Sequence, residues 1–154
     1  MATRAVRYLK QKKVSFEVVK YAHDEKGANY AAQATGFPLE QTIKTLVVDL
    51  GNGRYGMALM PGNRRLDLKR LAALFGVKKA TLTDTDTAER LTGYLVGGIS
   101  PFGTKHTLPA VIDEPARAYD TVMINGGQRG VMLKMIPADI EKTINCRVAA
   151  IGRD

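Results

Sequence analysis

Two spacings of apolar residues alternate along this chain. Helical spacing, with apolar positions three and four residues apart, is clearest at Leu68, Leu71 and Phe75. This spacing, together with capping residues and helix-ending glycines, predicts six helices: 3–12, 28–35, 67–75, 84–92, 113–116 and 137–144. In the fourth of these helices, Asp86 and Glu89 stand at capping-box spacing if Asp86 is the N-cap.

Alternating or continuously apolar runs, rich in β-branched residues, predict seven strands: 14–21, 42–50, 54–60, 108–112, 121–124, 131–135 and 146–151. Gly51-Asn52-Gly53 predicts a hairpin between the second and third strands. The strands and short helices do not follow a regular βαβ order. We therefore predict an α+β fold with a mixed, curved, barrel-like sheet surrounded by short helices, in one domain over residues 1–154.

One segment fits neither spacing. Residues 93–103, with the sequence GYLVGGISPFG, contain four glycines, one proline and one serine. Glycine tolerates unusual backbone angles and lets a ligand approach the bare main chain. Such a loop can direct several N–H groups at one carbonyl or phosphate oxygen. From composition alone, the simpler interpretation is a tight loop that joins two strands.

The charge of the chain indicates an anionic partner. Lysine and arginine number 23 against 15 acids, a net charge of +8. Such an excess favours nucleic acid through counterion release, although a solvated basic surface is the alternative. The chain has no Trp, four Phe and six Tyr, so contacts to phosphate and sugar are expected rather than base stacking. No apolar run is long enough to span a membrane and no signal peptide is recognised, so a cytoplasmic protein is expected.

Several kinds of catalytic site are not predicted. With one cysteine, Cys146, and two histidines, His23 and His106, we expect neither a disulfide nor a metal site, and no cofactor. Ser100 does not stand in a Gly-x-Ser-x-Gly elbow, so a serine triad is not predicted. Cys146 falls in the last predicted strand and is expected to be a small core residue rather than a nucleophile.

Lys44 interrupts the apolar run 43–48. Strand alternation places it on the face of Leu46 and Val48. A lysine in such a position usually extends its amine to solvent, which is the interpretation that the residues alone favour. The alternative is a lysine that lines a cleft and meets an anion or a carbonyl.

Five short segments occur in a familiar order: Tyr21-x-His23-Asp24, Lys44-Thr45-Leu46, Leu66-Asp67-Leu68-Lys69, TGYLVGGISP at 92–101, and Gly126-Gly127-x-Arg129-Gly130. Together they resemble the YbaK/EbsC family, the free-standing relatives of the editing domain inserted in bacterial prolyl-tRNA synthetase. The resemblance extends from about residue 3 to Arg153-Asp154 and includes the Gly97-x-x-x-Pro101 pattern.

The resemblance implies an enzyme that deacylates mischarged Cys-tRNA(Pro) and binds the acceptor end of the aminoacyl-tRNA. Lys44 matches the essential lysine of the family, which would bind a phosphate of the tRNA end or position the aminoacyl ester. The residues that would present backbone amides to the substrate carbonyl are Gly97, Gly98, Ile99 and Ser100. The implied substrate-binding residues are Tyr21, Pro101, Phe102, Gly127, Arg129 and Met132. In this family the thiol of the substrate attacks its own ester, so no protein nucleophile or metal is needed.

Met132 departs from the pattern of this branch, in which an aspartate stands at that position. The segment between Asp24 and Lys44 is also shorter than in close relatives. The preferred amino acid therefore stays open, and alanine or another small aminoacyl group, hydrolysed by water, is an alternative. A non-catalytic module that binds tRNA or a synthetase is a second alternative. Prolyl-tRNA synthetase is an implied partner that would supply selectivity for tRNA(Pro).

Overall fold

The computed structural model describes residues 3–22 and 28–154. The described residues contain five α-helices: α1 (Arg4–Gln11), α2 (Ala28–Thr35), α3 (Leu68–Phe75), α4 (Thr85–Thr92) and α5 (Pro137–Thr143). They also contain ten strands: β1 (Glu17–Lys20), β2 (Thr42–Gly51), β3 (Arg54–Pro61), β4 (Arg65–Leu66), β5 (Thr81–Leu82), β6 (Ala110–Asp113), β7 (Val122–Gln128), β8 (Val131–Met135), β9 (Arg147–Ala149) and β10 (Gly152–Arg153). Two short 3-10 helices complete the elements: Leu39–Gln41 and Glu114–Ala118.

Eight of these strands form one mixed sheet. Its order is β1-β8-β7-β2-β3-β6-β9, and β5 pairs separately with β2. The pairs β1–β8, β7–β8, β2–β3 and β2–β5 are antiparallel, whereas β2–β7, β3–β6 and β6–β9 are parallel. Strands β4 and β10 form a small second sheet. The predicted α+β fold with a mixed sheet is confirmed.

The β2–β3 hairpin separates two hydrophobic clusters. Ile43 and Leu59 belong to the cluster on one face, and Val48 and Met60 to the cluster on the other. The two sets occupy opposite faces because successive side chains of a strand point to opposite sides. Lys44 is in register with Met60 and so lies on the second face.

Three predicted strands have different limits in the structure. The strand predicted at 121–124 continues to Gln128, because its glycines are accommodated in a bulge between Asn125 and Gln128. The strand predicted at 14–21 is confined to β1. The last predicted strand, 146–151, is shorter: β9 covers only Arg147–Ala149, residues 150 and 151 belong to no strand, and β10 begins at Gly152.

The N-cap of α4 is Asp84, not Asp86. The Asp84 carboxylate accepts a hydrogen bond from the Thr87 N–H at 2.7 Å. Glu89 does not complete a capping box, because its carboxylate accepts instead from the Val96 N–H at 2.8 Å. The helix is therefore tied at its C-terminal half to the glycine-rich segment, which from here on is called the glycine loop (93–103).

Candidate active site

A gap in the sheet beside β2 forms a cavity. Strand β7 pairs with β2 only at Thr42 and Ile43, and β5 pairs with it only at Val48 and Asp49. Between these points, over 44–47, the edge of β2 has no neighbouring strand in the described part of the chain. A cavity of about 510 Å³ lies at this gap.

Asn125 lies beside the gap. It stands at the start of the bulge in the pairing of β7 with β8, and its Oδ1 accepts from the Gly127 N–H at 2.8 Å. Its Nδ2 donates to the Gly97 carbonyl at 3.0 Å. Gly127 has a φ of 95°, which favours glycine at this position of the bulge. One amide side chain therefore stabilises the bulge and fixes the glycine loop beside the cavity.

The cavity walls are mostly apolar. Near the β7 side of the gap they include Tyr21, Ala31 and Met132, and near the β5 side they include Leu82 and Ala88. Met132 is buried with Ala31 against the Tyr21 side chain. An apolar wall stands where the aspartate of the resembled branch was expected, so this wall favours a small apolar group of a ligand over a charged one.

Lys44 contributes a positive charge to this cavity. Burial, and secondly the positive charge of Arg65, lower the pKa of the Lys44 amine below its usual value. Among the described residues, no carboxylate forms an ion pair with Lys44 or with Arg65. Two neighbouring cations without a counterion make the site attractive to an anionic ligand, because the ligand would relieve their mutual repulsion.

Part of the glycine loop's hydrogen-bonding capacity is used internally. The N–H of Val96 donates to the Glu89 carboxylate, and the N–H of Gly98 donates to the Leu95 carbonyl at 2.9 Å. Gly97 and Ile99 line the cavity. No described residue accepts a hydrogen bond from the N–H of either one, so both N–H groups are available to donate to a ligand.

Gly98 and Arg129 hold the glycine loop in place from outside the cavity. A Cβ at Gly98 would lie 2.8 Å from the Arg129 nitrogen and 2.9 Å from the Gln128 Cα, so only glycine fits against this turn. The Arg129 guanidinium donates to the Val96 carbonyl at 3.2 Å. Both residues therefore position the loop, and the substrate contacts that the resemblance implied for them stay predictions.

Three further predicted site residues lie elsewhere. Ser100 is fully buried, and its Oγ accepts from the Phe102 N–H at 3.2 Å. Phe102 is also fully buried, in the core cluster that contains Ile43. Pro101 lines a separate cavity of about 250 Å³. The resemblance implied a backbone amide of Ser100 and substrate contacts of Pro101 and Phe102, and these roles stay predictions.

The predicted site residues thus fall into two groups. Those that line the cavity are Lys44, Gly97, Ile99, Tyr21 and Met132. Those that do not line it are Gly98, Ser100, Pro101, Phe102, Gly127 and Arg129. Gly127 packs against Tyr94, since a Cβ there would lie 2.8 Å from its ring. His23 and Asp24, which belong to the first resembled segment, lie outside the described residues.

The residues that line the cavity but were not predicted as site residues include Thr45, Asp84 and Asn125. The Thr45 hydroxyl is buried and has no hydrogen-bond partner among the described residues. Hydrogen bonds from Thr87 lower the pKa of the exposed Asp84 carboxyl, which therefore stays ionised. The Asn125-Gly126-Gly127 sequence was an available signal for a bulge, since glycines inside a strand often mark one.

No arrangement for metal or cysteine chemistry is found in the described residues. Within them, no three His, Cys, Asp or Glu side chains are grouped in a way that could hold a metal ion. Burial, and secondly the charge of Glu141, raise the pKa of the Cys146 thiol to about 12, which leaves it protonated and unreactive at neutral pH. None of the described helices has the length and apolar character needed to cross a bilayer.

Comparison with known proteins identifies the family of the chain. The model of the aminoacyl-tRNA editing domain matches residues 23–143. The chain belongs to this family. The family predicted from sequence is therefore confirmed, together with aminoacyl-tRNA deacylase as its class of enzyme.

Individual relatives agree with this placement. EbsC of Enterococcus faecalis, named as a Cys-tRNA(Pro)/Cys-tRNA(Cys) deacylase, is 33% identical over 151 residues, which are 97% of this chain and 92% of that protein. ProXp-y of Escherichia coli K12, named as a multifunctional Ser/Thr-tRNA deacylase, is 30% identical over 138 residues, 85% of this chain and 81% of that protein. A crystal structure described as a trans-editing enzyme for prolyl tRNA synthetase has a TM-score of 0.89 and 27% identity, covering 100% of this chain and 99% of that one. The two named relatives differ in the amino acid that they remove.

Proposed function

We propose that this protein deacylates mischarged Cys-tRNA(Pro) in trans, in the cytoplasm, with the thiol of the substrate as nucleophile. The observation that supports this most directly is the composition of the cavity. Its described lining contains a lysine and unoccupied loop amides, but no serine, cysteine or histidine that would act as a protein nucleophile. A substrate that brings its own nucleophile fits such a site.

Lys44 and the glycine loop are assigned complementary tasks. The ammonium of Lys44 binds a phosphate of the tRNA end and raises the local positive potential. The N–H groups of Gly97 and Ile99 donate to the ester carbonyl as negative charge develops on its oxygen. Both loop residues line the cavity that Lys44 lines, which places the two tasks within one site.

The chemical step transfers the acyl group within the substrate. The thiol sulfur forms a bond to the ester carbonyl carbon, the bond from that carbon to the ribose oxygen breaks, and the thiol proton ends on the terminal ribose hydroxyl. The products are free tRNA and a cyclic thiolactone, which water then opens to cysteine. A nearby cation favours the thiolate, which is the reactive form of the thiol.

Cysteine is favoured over serine because its thiol is the better nucleophile. A thiol forms its reactive anion far more readily than a hydroxyl does. Alanine would also fit a mostly apolar cavity, but it has no nucleophile, so its ester would have to be hydrolysed by water. Alanine is therefore the second candidate substrate.

The first test is deacylation of Cys-tRNA(Pro), Ala-tRNA(Pro) and Ser-tRNA(Pro) by the wild type and by Lys44→Ala. We expect rapid loss of cysteine only, and a decrease of about 10-fold to 100-fold in kcat/KM for Lys44→Ala, the effect of losing one charge-assisted contact with a phosphate. Lys78→Ala is the matched control, because it removes one exposed lysine outside the cavity. It should cost about twofold to threefold, as expected for one surface charge in tRNA binding.

The other outcomes separate the alternatives. Faster removal of alanine would assign the protein to water-mediated hydrolysis of a different substrate. Binding of tRNA without hydrolysis of any of the three would support a non-catalytic module. Selectivity for tRNA(Pro) is assigned to prolyl-tRNA synthetase as a partner, so the isolated chain should discriminate little among tRNAs. Tight binding of tRNA(Pro) alone, without the synthetase, would contradict that assignment.

A further inference from the structure

Thr45 stands in the middle of the unpaired edge of β2. The Val47 carbonyl accepts from the Thr83 N–H at 3.1 Å across this edge. Carbonyls two residues apart in a strand point the same way, so the N–H and C=O of Thr45 face the same edge as the Val47 carbonyl. The Thr42 carbonyl, which accepts from the Gly62 N–H at 2.8 Å, points to the β3 side and fits this alternation.

Both main-chain groups of Thr45 therefore face the cavity. The pairing of β2 with β7 ends at Ile43, and the pairing with β5 begins at Val48. In the described part of the chain no strand pairs with Thr45 on this edge, and Thr45 lines the cavity. An unpaired donor and acceptor on one strand residue form a binding edge for another extended group.

An aminoacyl ester carries the matching pair of groups. Its ammonium and its carbonyl flank a single α-carbon, as the N–H and C=O of a strand residue do. In an antiparallel sheet, two residues opposite each other exchange both of their hydrogen bonds. An aminoacyl group can make the same exchange, with its ammonium donating to the Thr45 carbonyl and its ester carbonyl accepting from the Thr45 N–H.

We infer that the main chain of Thr45 binds the aminoacyl group of the substrate, which pairs with β2 as a single added strand residue. This inference rests on the proposed deacylase function and names the contacts that orient the ester. Because every amino acid has these two groups, Thr45 recognises the class of substrate, and the cavity walls select the side chain. The Thr45 N–H also adds a donor to the two loop amides that face the ester carbonyl.

The Thr45 side chain supports this arrangement. Paired residues in an antiparallel sheet place their side chains on the same face, close enough to interact. The side chain of an L-aminoacyl group would then lie on the face of the Thr45 hydroxyl, beside Val47 and Ile99, which also line the cavity. That hydroxyl is buried and unpartnered in the free protein, and a buried polar group without a partner requires an explanation. A substrate thiol beside it provides the missing partner.

The test follows the Thr45 amide directly by NMR in the ¹⁵N-labelled full chain. The probe is 3′-(L-cysteinylamido)-3′-deoxyadenosine, in which an amide replaces the hydrolysable ester. At saturation we expect hydrogen exchange of the Thr45 N–H to slow by about tenfold or more, since it passes from an unpaired to a paired amide. The Thr83 N–H is the internal control, because it is already bonded to the Val47 carbonyl, and its exchange should change by less than about twofold.

A second probe isolates the ammonium. The analogue with a 3-mercaptopropionyl group lacks the amine and keeps the thiol and the carbonyl. It should bind about tenfold or more weakly, the loss expected for a charge-assisted hydrogen bond. Equal affinity of the two probes would overturn the inference.

The NMR and hydrolysis results together distinguish a wrong assignment of Thr45 from a wrong assignment of the deacylase function. If Ile99 and Met132 respond to the probe and the Thr45 amide does not, the inference is overturned while the deacylase function stands. If no residue of the cavity responds and the wild type does not hydrolyse Cys-tRNA(Pro), both are overturned. Protection of Thr45, together with weaker binding of the mercaptopropionyl probe, supports the inference.

Discussion

The fully buried Asp113 provides the sharpest test of how the structure is held together. Its Oδ1 accepts from the Ile151 N–H at 3.0 Å and from the Gly152 N–H at 3.1 Å. Its Oδ2 accepts from the Arg64 Nε at 3.0 Å. One carboxylate therefore joins the end of β6 to the start of β10 and to the turn before β4. These connections place Arg65 at the position from which it influences Lys44.

The Asp113→Ala variant removes all three of these hydrogen bonds. Breaking a buried charged pair by removing one partner costs about 3–5 kcal/mol, and the N–H groups of Ile151 and Gly152 would stay buried and unpaired. We expect the free energy of unfolding to fall by about 4 kcal/mol. For a chain of 154 residues this corresponds to a decrease in Tm of about 8–16 °C.

Urea denaturation followed by circular dichroism measures this change. For Asp113→Asn the free energy of unfolding should fall by about 2 kcal/mol. The amide oxygen remains a hydrogen-bond acceptor, but the amide NH2 can place a donor opposite the Arg64 guanidinium. Asp120→Ala is the control, because this carboxylate is exposed, and its effect should stay within about 0.5 kcal/mol. A loss below about 1 kcal/mol for Asp113→Ala, with an unchanged m-value, would refute the reasoning.

Three further predictions concern the site. The lowered pKa of Lys44 means that its amine loses its proton at a lower pH than a free lysine does. We therefore expect kcat/KM, corrected for spontaneous hydrolysis, to fall as the pH rises through this lowered pKa. In the same pH range the folded state binds fewer protons than the unfolded state, so the free energy of unfolding contributed by Lys44 rises with pH. A flat pH–rate profile up to the ordinary lysine range would contradict the predicted fall in kcat/KM. Gly98→Ala should reduce stability by about 1–3 kcal/mol and impair deacylation, because its Cβ meets the Arg129 nitrogen; unchanged urea unfolding and activity would rule out the close packing. Tyr94→Phe should cost about 1–3 kcal/mol in thermal unfolding, because it leaves the buried Phe102 carbonyl without the Tyr94 hydroxyl, and a neutral result would mean that another donor takes over.

Local signals predicted the helices better than the cap of α4. The Asp67 carboxylate caps α3 and Gly76 ends it at a φ of 69°, as the sequence indicated, because both effects act within a few residues. For α4, Asp84 and Asp86 are equally suitable caps by residue type. Glu89 does not complete a capping box with Asp86, because its carboxylate accepts from the Val96 N–H of the glycine loop. That contact is not visible in the spacing of residues along the helix.

The site was predicted in part. Lys44, Tyr21 and Met132 were identified through the family resemblance, and all three line the cavity. The cavity itself depends on where β7 and β5 stop pairing with β2. A two-residue strand such as β5 has no periodicity to detect. The glycines of β7 could indicate its bulge, but no pattern in the sequence shows where β7 stops pairing with β2. The importance of Thr45 follows only from these tertiary limits.

The open edge of β2 also bears on how the protein avoids self-association. An unpaired strand edge is usually a place where a second chain adds a strand and aggregation begins. Here the open stretch, residues 44–47, is bounded by β7 on one side and β5 on the other. Its length is about 13 Å at the rise of a strand, too short for the five or six residues of an ordinary strand. The same limits that would leave room for one aminoacyl group therefore disfavour pairing between molecules at this edge of β2.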